Sequence, residues 1–71
     1  MNSLEIKPKL LAILKERGLT QNDLANAAGI PQAAVSRFDK NVQFRIEHLF
    51  RISKALGISI EDLFEVEEQE E

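Results

Sequence analysis

The chain has 71 residues, with 9 Lys+Arg against 12 Asp+Glu, one His and no Cys. That length suits one small domain, and the 44% hydrophobic and 30% charged composition is that of a globular chain rather than a disordered one. The absence of cysteine excludes disulfides and thiolate metal sites, so the fold must rest on packing alone. No apolar run approaches the roughly 20 residues of a membrane span. Glu5, Lys7, Pro8 and Lys9 interrupt any secretory signal at the N-terminus, and both points fit a cytoplasmic location. A net charge of −3 argues at first against nucleic acid as a partner. Yet residues 65–71 hold five glutamates and no base, which leaves residues 1–64 at +2.

The periodicity predicts five helices and no strands, an all-α bundle over residues 1–64 followed by an acidic, disordered tail at 65–71. In the first helix, Ile6, Leu10, Ile13 and Leu14 form one stripe, with a start near Lys7 and a stop at Gly18. Thr20 and Asp23 have the spacing of a capping box at the head of a second helix, which buries Leu24, Ala25 and Ala28 and ends at Gly29. A short third helix runs from about Pro31 or Gln32 to Asp39, anchored by Val35 and Phe38. Asn41, in the loop that follows, suits the left-handed conformation that ends a helix. A fourth helix covers Ile46–Leu56, with Ile46, Leu49, Ile52, Ser53 and Leu56 inward and Gly57 as its stop. Ser59 and Asp62 form a second capping box before a fifth helix at Ile60–Phe64.

The second and third predicted helices, short and joined by a tight turn at Gly29, describe a helix-turn-helix. Ala25 is small where the two must approach, and Ile30, Val35 and Phe38 fix the third helix so that its other face points outward. Four collinear segments, GLTQNDLA at 18–25, AGI at 28–30, VSRFDKN at 35–41 and LFRISKALGISIEDLF at 49–64, make the chain resemble the Cro/repressor-type (XRE) helix-turn-helix family. The resemblance spans about residues 7–64 and implies a five-helix, lambda-repressor-like fold that binds double-stranded DNA as a homodimer.

It also implies roles by position. Gln32, Ala33, Ser36 and Arg37 match positions facing the bases. A glutamine amide suits adenine N6/N7, and an arginine fork suits guanine O6/N7. Gln21 matches a residue that contacts phosphate and braces the recognition helix. Arg17, Lys40, Asn41, Gln43 and Arg45 are the other phosphate-contact candidates, with Lys15 as an alternative to Arg17, each adding affinity without sequence information. Arg45 is a poor helix start by residue type, which an anion held at that helix end explains. Two departures stand out: Pro31 replaces a polar cap and Asn41 a common glycine.

Other readings compete at each position. An exposed arginine or glutamine on a helix is ordinarily a solvated residue. His48 stands alone, without the companions of a metal site, and no hydroxyl has a partner base, so neither metal, cofactor nor catalysis is expected. Phe50, Leu63, Phe64 and Val66 are the candidates for a dimer surface, since dimers of this kind set recognition helices about 34 Å apart. The glutamate tail reads as a solubilising end, a segment that binds a protein partner, or an electrostatic brake on DNA. The expected function is that of a transcriptional regulator, a repressor by analogy. The alternative is a protein-interaction module, such as an antitoxin-like partner, on the same scaffold.

Overall fold

The computed structural model describes residues 2–70, with the backbone alone described at 2, 69 and 70. Its elements are β1 (Asn2–Pro8), α1 (Leu10–Arg17), α2 (Gln21–Ala28), α3 (Gln32–Arg37), α4 (Ile46–Leu56) and β2 (Phe64–Glu70). Single 3-10 turns at Phe38–Lys40 and Glu61–Leu63 extend α3 and precede β2. Four helices and a two-stranded antiparallel ribbon thus replace the expected five-helix, all-α bundle.

Both corrections lie at the chain ends. The fifth helix is only the turn Glu61–Leu63, and Phe64–Glu70 pairs with Asn2–Pro8 where a disordered tail is expected at 65–71. Residue 71 lies outside the described residues. The first helix begins at Leu10 rather than Lys7, because the chain up to Pro8 is extended and the Lys9 amide donates to the Leu63 carbonyl at 3.0 Å, in line with the strand register. Ile6 therefore sits on a strand and is exposed rather than in the first helix's core stripe.

Within the bundle, local chemistry and packing agree. Leu10, Ile13 and Leu14 of α1, Leu24, Ala25 and Ala28 of α2, Val35 and Phe38, Ile52 and Leu56 of α4, and Leu63 form the buried core. Ile46 is a correction: it is 70% exposed, one turn short of where α4 reaches that core. Phe38, Phe44 and Phe64 close the base of the ribbon as an aromatic trio, with ring centroids 4.7, 5.9 and 5.4 Å apart.

Several helix ends find side-chain partners for their free backbone groups. At α2 the Thr20 hydroxyl accepts from the Asp23 amide at 3.0 Å, and the Asp23 carboxylate accepts from the Thr20 amide at 2.9 Å. The same reciprocal pair, Ser59 and Asp62, closes the turn before β2 at 3.2 Å each way. Lys9 offers no cap to α1; instead Asp39 accepts from the Leu10 and Leu11 amides at 2.8 and 3.1 Å. A carboxylate there also meets the positive end of the helix dipole. At the opposite ends, Arg17 Nη1 donates to the Leu56 carbonyl at the close of α4, and Arg51 Nη1 to the Ala28 carbonyl at the close of α2. Arg51 is steadied by Glu47, one turn earlier on α4, at 2.8 Å.

Candidate nucleic-acid interface

The turn between α2 and α3 depends on Gly29. Its φ of +69° is left-handed, and a Cβ there would lie 3.1 Å from Arg51 Nη1. Ile30 is buried just beyond it, and Pro31, extended at φ −62° and ψ 143°, leads directly into α3. Val35 and Phe38 anchor α3 on the core, which leaves Gln32, Ala33 and Arg37 exposed on the opposite face and Ser36 half-buried beside them. These four lie at i, i+1, i+4 and i+5, so they form one outward patch of a helix.

The two glutamines of the motif meet. Gln32 Nε2 donates to Gln21 Oε1 at 3.2 Å, tying the first residue of α2 to the first of α3. An amide nitrogen has two hydrogens. Gln32 therefore keeps one donor and its carbonyl oxygen free, the pair needed for an adenine edge, while the Gln21 amide nitrogen keeps its own donors. The Ser36 hydroxyl donates to the Ala33 carbonyl at 3.2 Å, which leaves its oxygen able to accept.

Next to this face lies a cleft of about 340 Å³ between α3 and the start of α4. Arg37 lines one wall, and Asn41, Gln43, Arg45 and His48 line the other. Arg45 is the N-cap of α4 in extended conformation, with no side-chain cap bond, and it lines the cleft at that helix start. His48, one turn into α4, lines the cleft as well, where sequence reasoning weighed it only as a metal ligand. Its signal was its spacing of three from Arg45, which puts both on one side of the helix.

Other candidates fall elsewhere. Arg17 is occupied at the C-terminal end of α4, opposite the end that holds Arg45; eleven residues at about 1.5 Å each separate the two by roughly 16 Å. One of its donors serves as a helix cap, and it lies away from the cleft that Arg45 lines. Lys40 faces a second, apolar groove beneath the ribbon rather than the cleft. Asn41 has φ −83° and ψ 147°, not the left-handed form expected of it, because α3 ends through a 3-10 turn. Of the residues expected at a dimer surface, Leu63 is fully buried and Phe64 is held in the aromatic trio, whereas Phe50 and Val66 are exposed.

With the geometry in place, comparison with protein families finds one model, the Cro/C1-type HTH DNA-binding domain, matching residues 9–69. The chain belongs to this family. No curated protein and no solved structure gives a match. Family membership makes the chain a helix-turn-helix DNA-binding domain of regulator type, with DNA as its partner. The match runs through Glu65, Glu67 and Glu68, so the acidic stretch lies within the matched domain. Among the described residues no three His, Cys, Asp or Glu side chains gather as a metal site, and no helix is long and apolar enough to cross a membrane.

Proposed function

We propose that this Cro/C1-type domain is a transcriptional repressor that inserts α3 into the major groove as a homodimer. The observation that carries the reading is the outward patch of Gln32, Ala33, Ser36 and Arg37 beside a cleft that gathers Arg45, Gln43 and Asn41. On this reading Gln32 and Arg37 read base edges, the first as an amide fork and the second as a guanidinium fork. Ala33 touches a thymine methyl, and Ser36 accepts at a base edge. Gln21, braced on Gln32, holds the phosphate that enters the motif. Arg45, the open end of α4, Gln43 and Asn41 hold the phosphate on the far side of the groove, with His48 beside them. Lys40 adds charge at the margin.

A test uses the purified chain and the DNA upstream of its own coding sequence, with a scrambled duplex as control. Repression by groove reading predicts a preferred duplex, salt-sensitive affinity, and a loss of about 1–3 kcal/mol for Arg37→Ala. Equal binding to both duplexes, with Gln32→Ala and Arg37→Ala unchanged, contradicts it.

A further inference from the structure

The ribbon carries a surface that the DNA reading does not use. Directly opposite residues share a face, so Leu4, Ile6 and Pro8 of β1 lie with Glu68, Val66 and Phe64 of β2 on one side, apolar but for Glu68 at its outer end, and Glu5 and Lys7 with Glu67 and Glu65 on the other. Only the base of the apolar side is covered. Leu4 is 59% exposed, Ile6 55% and Val66 47%, and Val42 across the groove is 95% exposed. A two-stranded ribbon is marginal in water unless a further strand or a packed face supports it.

The register identifies which edge is free to pair. Lys9 opposite Leu63 is a hydrogen-bonded pair, and such pairs alternate in an antiparallel ladder. The amides of Lys7 and Glu5 therefore point to β2, while the amides and carbonyls of Leu4 and Ile6 point to the open edge. Pro8, which has no amide hydrogen, faces that edge as well, the usual place of a proline in a sheet.

We infer that the open edge of β1 pairs antiparallel with the same edge of a second copy of this chain, about a two-fold axis through Ile6. Charge favours this pairing, with Glu5 and Lys7, already 3.2 Å apart within one strand, extended into a four-charge ladder across the two copies. Centred on Ile6, it sets Glu5 opposite the partner's Lys7 and Lys7 opposite the partner's Glu5, in the non-hydrogen-bonded positions where side chains approach most closely. Centred on Glu5 it would face glutamate with glutamate, and centred on Lys7, lysine with lysine. Two β2 edges paired about Val66 would set Glu65 against Glu67 twice. The same register lays Leu4 opposite the partner's Pro8. Leu4 thereby comes over the partner's groove of about 620 Å³, whose walls include Pro8, Val42, Phe44 and Phe64. Both grooves are filled by one symmetric contact.

This pairing supplies the dimer that the functional reading requires and rests on that reading only there, so its test contains no DNA. Sedimentation velocity on the full chain should show a dimer. Glu5→Lys and Lys7→Glu, each alone, set like charges opposite one another twice and should weaken the dimer about tenfold. Mixed in equal amounts, the two variants regain opposite charges at both positions and should dimerise as the unaltered chain does. The doubly exchanged chain, Glu5→Lys with Lys7→Glu, should do the same. The mixture guards against a variant that merely frays the ribbon, since fraying is not repaired by mixing. A full chain that stays monomeric overturns the pairing and leaves the ribbon to a different protein. Single variants that dimerise normally, or a mixture no tighter than its parts, overturn it too. A dimer that passes these tests yet binds no DNA contradicts the functional reading alone.

Discussion

At the N-terminus of α1 the capping oxygen comes from Asp39, 29 residues downstream of Leu10, rather than from the residue that begins the helix. The contact ties the 3-10 turn that follows α3 to the start of α1. Asp39→Ala leaves two amides without acceptors and should cost about 1–2 kcal/mol. In thermal unfolding this is a fall of roughly 4–8 °C per kcal/mol for so small a domain; an unchanged midpoint would mean water replaces the carboxylate. Asp23 offers a pH-dependent counterpart. The Thr20 amide and hydroxyl, bonded to it, hold its carboxyl below the usual carboxylate range. A folded pKa below the unfolded one gives stability that is present at neutral pH and lost as pH falls through the acid range. The stability gap between the unaltered chain and Asp23→Asn should therefore narrow from about pH 6 to about pH 3; a constant gap would mean that the charge contributes nothing. Both capping boxes were legible in the sequence because donor and acceptor lie three residues apart, whereas the Asp39 cap, formed across the fold, left no local pattern.

The elements divide in the same way. Helices α2, α3 and α4 announce themselves through apolar spacing, glycine stops and capping residues, all within a few positions of each other. The ribbon does not. Ile6 lies four residues before Leu10, as a helix would have it, and two after Leu4, as a strand would, and only the tertiary partner decides between them. β2 is rich in glutamate, a poor strand former, and takes its conformation from pairing with residues at the other end of the chain. This changes how its charge acts. Held in a strand, Glu65, Glu67 and Glu68 have a fixed position on the molecule and do not sweep the DNA face as a loose tail would. Deleting residues 65–71 would remove the partner of β1 together with the charge, so neutral substitution is the cleaner probe. Changing these three glutamates to glutamine removes three negative charges and keeps the backbone ladder. Titrations should show tighter DNA binding at about 50 mM salt and little change at several times that concentration. An equal gain at both would point to an altered ribbon instead.

For the molecule as a whole, the net charge of −3 conceals a division between an acidic ribbon and the side proposed to meet DNA, which carries Arg37 and Arg45. The outward patch of α3 was readable residue by residue, since the places of Gln32, Ala33, Ser36 and Arg37 follow from the position of the turn, and its base-reading role is the proposal made above. The proposed phosphate-binding flank was readable only in part. Arg17 and Arg45 are both arginines near helix ends in the sequence, yet the fold uses one to close a helix and leaves the other at an open helix start. The measurement that separates base reading from phosphate binding is a salt series of binding titrations on the preferred and scrambled duplexes, with the unaltered chain, Arg37→Ala and Arg45→Ala. If α3 reads bases, Arg37→Ala collapses the preference between duplexes. If Arg45 holds phosphate, Arg45→Ala weakens binding to both duplexes alike. The plot of log affinity against log salt then becomes shallower by about 0.9 for each phosphate that the variant no longer neutralises. Should Arg37→Ala leave the preference intact while the slope does not respond to Arg45→Ala, α3 and its cleft are not the surface that meets DNA.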